Sequence, residues 1–253
     1  MKDVAIFIPS RNVANTLTKV LDRIPDDIKN QVGEIFIIDN DSKDRTYLIG
    51  VEYKEKNQMH NLKVYKNEKN LGYGGSQKKA YQYAIDKGFK IIIMLHGDAQ
   101  YPPENLKNLL IPLMNEEADL VFGSRMSSDP LGGGMPLWRF IGNKLLTKIE
   151  NRVLGINLSE YHSGFRGFKV SSLEKLPIKL LSNDYHFDTE IIIQLVQAKM
   201  KIIEVPIPTH YGHDAKSLTI IQTLKYSINI LIDMLKLTSH KSGIWKQKKF
   251  DVL

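Results

Sequence analysis

Cysteine is absent from the 253-residue sequence, which excludes disulfides and thiolate metal sites and suits a reducing compartment. No window of about 18 residues is free of charge, so no transmembrane helix is expected. The most apolar stretch, 218–237, still contains Lys225, Asp233 and Lys236. The chain begins almost directly with Val4-Ala-Ile-Phe-Ile8, without a basic lead or cleavage site, and no signal peptide is expected. There is no Walker-type phosphate loop, Gly-x-Gly-x-x-Gly, His-Glu-x-x-His or Gly-x-Ser-x-Gly. Internal repeats and low-complexity tracts are missing too. Aromatics do not interleave with a basic stripe, which argues against nucleic-acid binding.

What remains is an ordinary globular composition. Hydrophobic residues at 42% and charged residues at 25% are enough for a packed core in one larger domain. The net charge of +7 is concentrated late: from Lys236 onward there are five lysines against one acid, Asp251. Such a face suits an anionic lipid surface or a polyphosphate, or it simply solubilises the tail.

The most informative stretch is 90–104. Ile91 to Leu95 is an unbroken apolar run, the pattern of a strand covered on both faces. It stops at His96, Asp98 and Gln100, and Pro102-Pro103 blocks its continuation. A carboxylate at the carboxyl edge of a parallel sheet lies where open α/β sheets bind ligands, and a divalent cation on a diphosphate would suit it. Alternatively, Asp98 caps the helix that follows.

Other strands are expected at 3–9, 34–39, 62–66, 118–122 and 201–206. Helices are expected from Val13 to Ile24 (capped by Asn12 or Asn15), to about Lys87, over 104–114, over 137–154, over 186–198 and from about Leu218 to Leu237. This alternation means βαβ units, and the polar clusters that follow the strands should gather along one edge. In the 137–154 helix the expected apolar side is Trp138, Ile141, Leu145 and Ile149. Residues 127–136 read as a loop covering the site. Gly72, Gly74, Gly75 and Ser76 lie between a strand and a helix, where backbone amides can face an anion or a tight turn can form.

Taken together, Ile8-Pro9-Ser10-Arg11-Asn12, Ile38-Asp39-Asn40-Asp41-Ser42-Lys43-Asp44, Asn70-Leu-Gly72-Tyr-Gly74-Gly75 and Gly97-Asp98-Ala-Gln100-Tyr-Pro-Pro-Glu104 resemble the inverting family 2 glycosyltransferases of the GT-A fold. Gly123-Ser124-Arg125, Ser163-Gly164-Phe165-Arg166 and Glu204-Val205-Pro206-Ile207 look like the branch containing dolichyl-phosphate mannose synthase and polyprenyl-phosphate glycosyltransferases. The resemblance spans roughly 3–217. It implies an α/β fold with a mainly parallel sheet flanked by helices, followed by a C-terminal amphipathic helix and basic tail over 218–253.

The resemblance also implies roles. Pro9, Ser10, Arg11 and Asn15 would shape the nucleotide pocket, and Asp39 and Asp41 would hold base and ribose. Asp44 reads instead as a helix cap. Asp98, Gln100 and His96 would bind a divalent cation (Mg²⁺ or Mn²⁺), His96 standing where this branch commonly has an acid. Arg125, Arg139, Ser163, Arg166, His213 and Lys216 would surround the acceptor and departing phosphates, since guanidinium forks offset clustered negative charge. Asp188 would be the base if the acceptor were a hydroxyl, whereas an ionised phosphate needs none. Its alternative is a helix N-terminal charge. Glu190 reads as structural, and His162 and His210 as loop hydrogen-bonders.

The expected activity is transfer of a hexose from a UDP- or GDP-sugar to a polyprenyl or dolichyl phosphate. The rivals are transfer to a hydroxyl of a surface glycan, and a non-catalytic nucleotide-sugar binder. A cytoplasmic protein at the membrane surface, alone, as a homo-oligomer or with a membrane subunit, is the expected setting.

Overall fold

The computed structural model describes residues 1–208 and 219–252. The chain runs β1 (Val4–Ser10), α1 (Leu17–Arg23), α2 (Asp26–Gln31), β2 (Glu34–Asp39), α3 (Thr46–Lys56), β3 (Leu62–Lys66), α4 (Tyr73–Asp86) and β4 (Ile91–Met94). Next come α5 (Leu106–Met114), β5 (Leu120–Ser124), α6 (Leu137–Leu154), β6 (Arg166–Lys169), α7 (Val170–Leu173), α8 (Phe187–Gln197), β7 (Ile202–Pro206) and α9 (Ile220–Lys241). The seven strands form one sheet in the order β3-β2-β1-β4-β6-β5-β7. All adjacent pairs are parallel except those involving β6, which runs antiparallel between β4 and β5.

Both faces of this sheet are covered, so its central strands need apolar residues at every position. Phe7, Phe36, Ile92 and Met94 pack with Tyr81 of α4, Ile191 to Ile193 of α8, and Ile230 and Leu237 of α9. Ile6, Ile8, Ile35, Ile37 and Ile93 face the other way, onto Leu17, Val20 and Leu21 of α1 and Leu106, Leu109 and Leu110 of α5. Register then aligns the strand ends. Ser10 lies beside Asp39, and Met94 pairs with Phe7 and with Arg166. Because β6 is antiparallel, its first residue meets the carboxyl edge of β4, and the loop before it joins the same rim.

Local propensity misled the reading in three places. Residues 13–16 form a turn, and α1 begins only at Leu17, with Thr16 at the N-cap position in place of Asn12 or Asn15. The short helix α2 was not anticipated; α3 stands where a helix capped by Asp44 was expected, although Thr-Tyr-Leu-Ile-Gly-Val-Glu-Tyr offers no clean 3.6-residue apolar stripe.

The third difference concerns α6. Its bounds are as expected, but of the expected apolar side only Ile149 packs against the core: Ile141 is 56% and Leu145 60% exposed, and Trp138 is exposed as well. The buried positions are Thr147, Glu150 and Leu154. Polar residues on the inward side find partners: Thr147 donates to Asn143 of the same helix, Glu150 accepts from Thr189 of α8, Asn151 exchanges two hydrogen bonds with Leu158, and Asn143 donates to Glu160.

The C-terminal segment is part of the core. Phe250 is fully buried among α8 and α9 residues, and Gln194 donates to the Lys249 carbonyl. Replacing Phe250 with alanine is expected to cost about 3–5 kcal/mol, measured by urea denaturation of the full chain.

Candidate active site

The carboxyl ends of β1, β2, β4 and β5 open into a cleft of about 840 Å³. Pro9, Ser10 and Arg11 line it from β1, Asn40 follows β2, and His96, Asp98 and Gln100 follow β4. Arg125 comes from the end of β5, Trp138, Arg139 and Asn143 from α6, Asp188 from α8, and Thr223, Leu224 and Tyr226 from α9. Acids and arginines far apart in sequence therefore share one rim.

The Asp98 loop is tightly built. Ala99 sits in the left-handed region at φ +62°, a conformation that non-glycine residues adopt only under constraint and that concentrates at functional sites. The Gln100 amide donates to Asp98 Oδ1 at 3.2 Å. Asp98 caps neither following helix, since neither receives a side-chain cap. Thr16, not singled out in the sequence, donates to the Gly97 carbonyl at 2.8 Å and ties the β1 loop to this one.

Oxygen donors on Asp98 and Gln100 fit a hard divalent cation. His96 adds a ring that burial keeps neutral, lowering its pKa. Its Nε2 lies 3.2 Å from the Tyr73 hydroxyl, which donates in turn to Asp188 Oδ2 at 2.9 Å. Gln77 donates to the other oxygen of Asp188 at 3.0 Å.

At the opposite wall, Arg125 is clamped by the fully buried Glu160. The carboxylate accepts from the Arg125 backbone amide at 2.6 Å and from Nη2 at 2.8 Å. Burial raises the Glu160 pKa, but the adjacent guanidinium and its hydrogen bonds outweigh that and hold it below the usual range. Arg139 stacks its guanidinium 5.0 Å from the Trp138 ring.

Residues 5–177 match the family described as Glycosyl transferase family 2. The chain belongs to that family. It is a glycosyltransferase, and its sheet and flanking helices form the GT-A fold. Among its relatives is the UDP-N-acetylglucosamine–dolichyl-phosphate N-acetylglucosaminyltransferase of Methanococcus voltae, 28% identical over 83% of this chain and 86% of that protein. Another is the undecaprenyl-phosphate mannosyltransferase of Micrococcus luteus, 26% identical over 81% and 82%. Glucosyl-3-phosphoglycerate synthase from Mycobacterium tuberculosis, solved with Mn²⁺, uridine diphosphate and phosphoglyceric acid, has the same fold. It superposes with a TM-score of 0.71 at 16% identity, over 96% of this chain and 79% of that one.

Several expected site residues of the glycosyltransferase stand elsewhere. Arg166 is fully buried and does not line the cleft; its guanidinium donates to the carbonyls of Tyr161, Ser163 and Asp188 at 2.6–2.8 Å. Ser163 is buried beside it, its hydroxyl without a hydrogen-bond partner. Gly74 and Gly75 do not present a phosphate cradle, because their amides donate to the Asn183 carbonyl. Glycine is needed at 74 for packing, since a Cβ there would lie 2.4 Å from the Ser182 carbonyl oxygen. Gly72 and Ser76 do line the cleft.

Asp39 is fully buried under the rim, with Oδ1 bound to Ser42 and Oδ2 without a partner. Asp41 pairs with Lys43, and Asn15 is exposed away from the cleft lining. Asp44 accepts from the Thr46 and Ala14 amides and so secures the start of α3. His210, His213 and Lys216 fall outside the described residues.

Among the described residues, one His/Asp/Glu group brings its ligand atoms within 4.8 Å of one another: His186, Glu190 and Asp233. Lys249 already supplies the cation there, its ammonium pairing with both Glu190 and Asp233. Glu190 is thus structural, as its position suggested.

The Glu160 clamp carries a pH signature. A carboxyl whose folded pKa is lowered contributes stability above its ordinary value of about 4.3 and loses it as pH falls through the folded value. Glu160→Gln is expected to cost about 3–5 kcal/mol at neutral pH, because it strands the Arg125 charge. The difference from the unsubstituted protein should shrink on acidification, read by denaturation across pH 7 to about 3.

Proposed function

We propose that this glycosyltransferase moves a hexose, with inversion, from a UDP- or GDP-sugar to a polyprenyl or dolichyl phosphate. The observation that carries this reading is the cleft itself. Its sheet side has the Asp98 and Gln100 oxygens, its far side has Arg125 and Arg139, and its mouth is rimmed by apolar helix faces. The donor diphosphate belongs at the sheet side, where Asp98 and Gln100 would hold a divalent cation with His96 flanking. That cation would offset charge on the departing diphosphate. Arg125 and Arg139 suit an acceptor that is itself an anion, since guanidinium groups beside the cleft offset the charge of a phosphate brought up to a diphosphate.

Asp188 supports the same choice. Both its oxygens already accept hydrogen bonds, from Tyr73 and Gln77, which suits a positioning carboxylate better than a base waiting for a hydroxyl proton. Transfer to a glycan hydroxyl would make Asp188 essential. Residues 1–217 would then form the transferase domain, and 218–253 the appendage that completes its acceptor wall.

No helix among the described residues is long and apolar enough to cross a membrane. A lipid acceptor can instead be met at the surface. Leu137, Ile141 and Leu145 of α6 and Ile221, Leu224, Ile228 and Leu235 of α9 are exposed, and the two helices contact each other beside the cleft mouth. Lys144, Lys148, Lys225 and Lys236 lie on the same helices and suit anionic headgroups.

UDP- and GDP-sugars should be screened for transfer to a short polyprenyl phosphate with Mg²⁺ or Mn²⁺. Asp98→Asn is expected to lower kcat by at least about a hundredfold. Transfer only to saccharide hydroxyls, abolished by Asp188→Asn, would replace this reading with the glycan one. In vesicle co-sedimentation, Ile141→Glu with Leu145→Glu should weaken binding to anionic liposomes about tenfold or more. Unaltered binding would remove α6 from the membrane face.

A further inference from the structure

A line of three side chains crosses from the interior to the acceptor end of the cleft. Glu150, on the inward side of α6, is fully buried; its Oε1 accepts from Thr189 Oγ1 at 3.0 Å. Its Oε2 lies 3.4 Å from Nε2 of His162, and neither of these two atoms has a hydrogen-bond partner elsewhere. The other ring nitrogen of His162, Nδ1, is 2.8 Å from the hydroxyl of Tyr226 on α9. His162 and Tyr226 both line the cleft, and Arg125 donates to the His162 carbonyl at 3.2 Å.

Two lone pairs cannot face each other stably in a dry interior, so a proton belongs between Glu150 and His162. With the ring neutral there are two ways to place it, one with Glu150 protonated and one with it ionised. If Glu150 is the acid, it donates to Nε2, the ring carries its hydrogen on Nδ1, and Nδ1–H donates to the Tyr226 oxygen. The ring then does not take the phenol hydrogen, and Tyr226, whose hydroxyl also meets Thr189, can turn it to the cleft. If the ring carries its hydrogen on Nε2, Nδ1 must accept the phenol hydrogen, and Tyr226 shows the cleft only an acceptor. The charged groups facing this line are Arg125 and Arg166 on one side and Glu160 and Asp188 on the other. Burial favours the first arrangement: it pushes Glu150 well above the usual carboxylate range and His162 down to about 3.

We infer that Tyr226 is a ligand of the acceptor phosphate, its hydroxyl aimed into the cleft as a donor by the buried Glu150–His162 pair. This rests on the lipid-phosphate reading above and adds to it a residue beyond the matched family segment, on the helix that also presents an apolar face. The chemistry is selective. A fully deprotonated phosphate monoester offers only acceptors, so a wall that presents donors favours it over a sugar hydroxyl, which can take either role.

The test uses the full chain with a short polyprenyl phosphate. Tyr226→Phe should raise KM for that acceptor about tenfold, while kcat falls less and the nucleotide-sugar Kd stays within about twofold. Glu150→Gln keeps a donor facing Nε2 and should preserve the acceptor KM; Glu150→Leu should raise it as Tyr226→Phe does. The ¹⁵N NMR signals of His162 in the unsubstituted protein should report a neutral ring with hydrogen on Nδ1, a readout that survives even if Glu150→Leu fails to fold. A ring with hydrogen on Nε2, an acceptor KM unmoved by Tyr226→Phe, or a Glu150→Gln variant as impaired as Glu150→Leu would each overturn the proposal. Should the unsubstituted protein transfer nothing to polyprenyl phosphates, the acceptor reading fails. The tautomer and the sugar-acceptor kinetics of Tyr226→Phe would then show separately whether the chain of hydrogen bonds exists.

Discussion

A cation with no access to solvent organises the catalytic end of this protein. Arg166 begins β6, where antiparallel pairing with β4 and β5 draws it inside, and it directs its guanidinium at the carbonyls of Tyr161, Ser163 and Asp188. Burying such a charge is expensive unless every donor is matched and an opposite charge is near. Here Asp188 lies 3.7 Å away and keeps the guanidinium charged against the effect of burial. The result is mechanical. The loop that presents His162 and Gly164 to the cleft is pinned to the first turn of α8, which presents Asp188, and neither can shift without exposing the other's unsatisfied groups.

Around that anchor the cleft has two chemically different walls. The sheet wall is set by backbone: strand ends in register, a left-handed Ala99, and the Thr16–Gly97 hydrogen bond. The opposite wall is set by side chains from segments distant in sequence, with Glu160 holding Arg125 and with α6 and α9 contributing lining residues.

The donor half was legible in the sequence because each of its features is local. An apolar run ending in His-Gly-Asp and a double proline defines a strand and its terminal loop within fifteen residues, and Asp98, Gln100, Ser10 and Arg11 all reached the cleft. The acceptor half was only partly legible. Arg166 and Arg125 look alike in sequence, each within two residues of a glycine in a polar stretch, yet one is buried among carbonyls and the other lines the cleft. The difference is whether carbonyls happen to converge on the guanidinium, which depends on chain segments 22 residues away. Gly74 likewise looked like part of an anion cradle and proved to be a packing position, because the 182–183 backbone lies against it. Tyr226, His162 and Glu150 had no motif to mark them.

The amino-acid order by itself determined the alternation of buried strands and helices, the mainly parallel sheet, and the family to which the enzyme belongs, since apolar runs and strand-end polar clusters follow from covering a sheet on both faces. Only the tertiary structure decided which polar residues turn inward and which apolar ones turn out. On α6 the periodicity is the same whichever side is buried; Glu150 goes inside where Thr189 of α8 donates to it, Thr147 goes inside bonded back to Asn143, and Ile141 and Leu145 are left facing outward. Hydrogen-bond partners supplied from a distance, and not hydrophobicity alone, settled that choice.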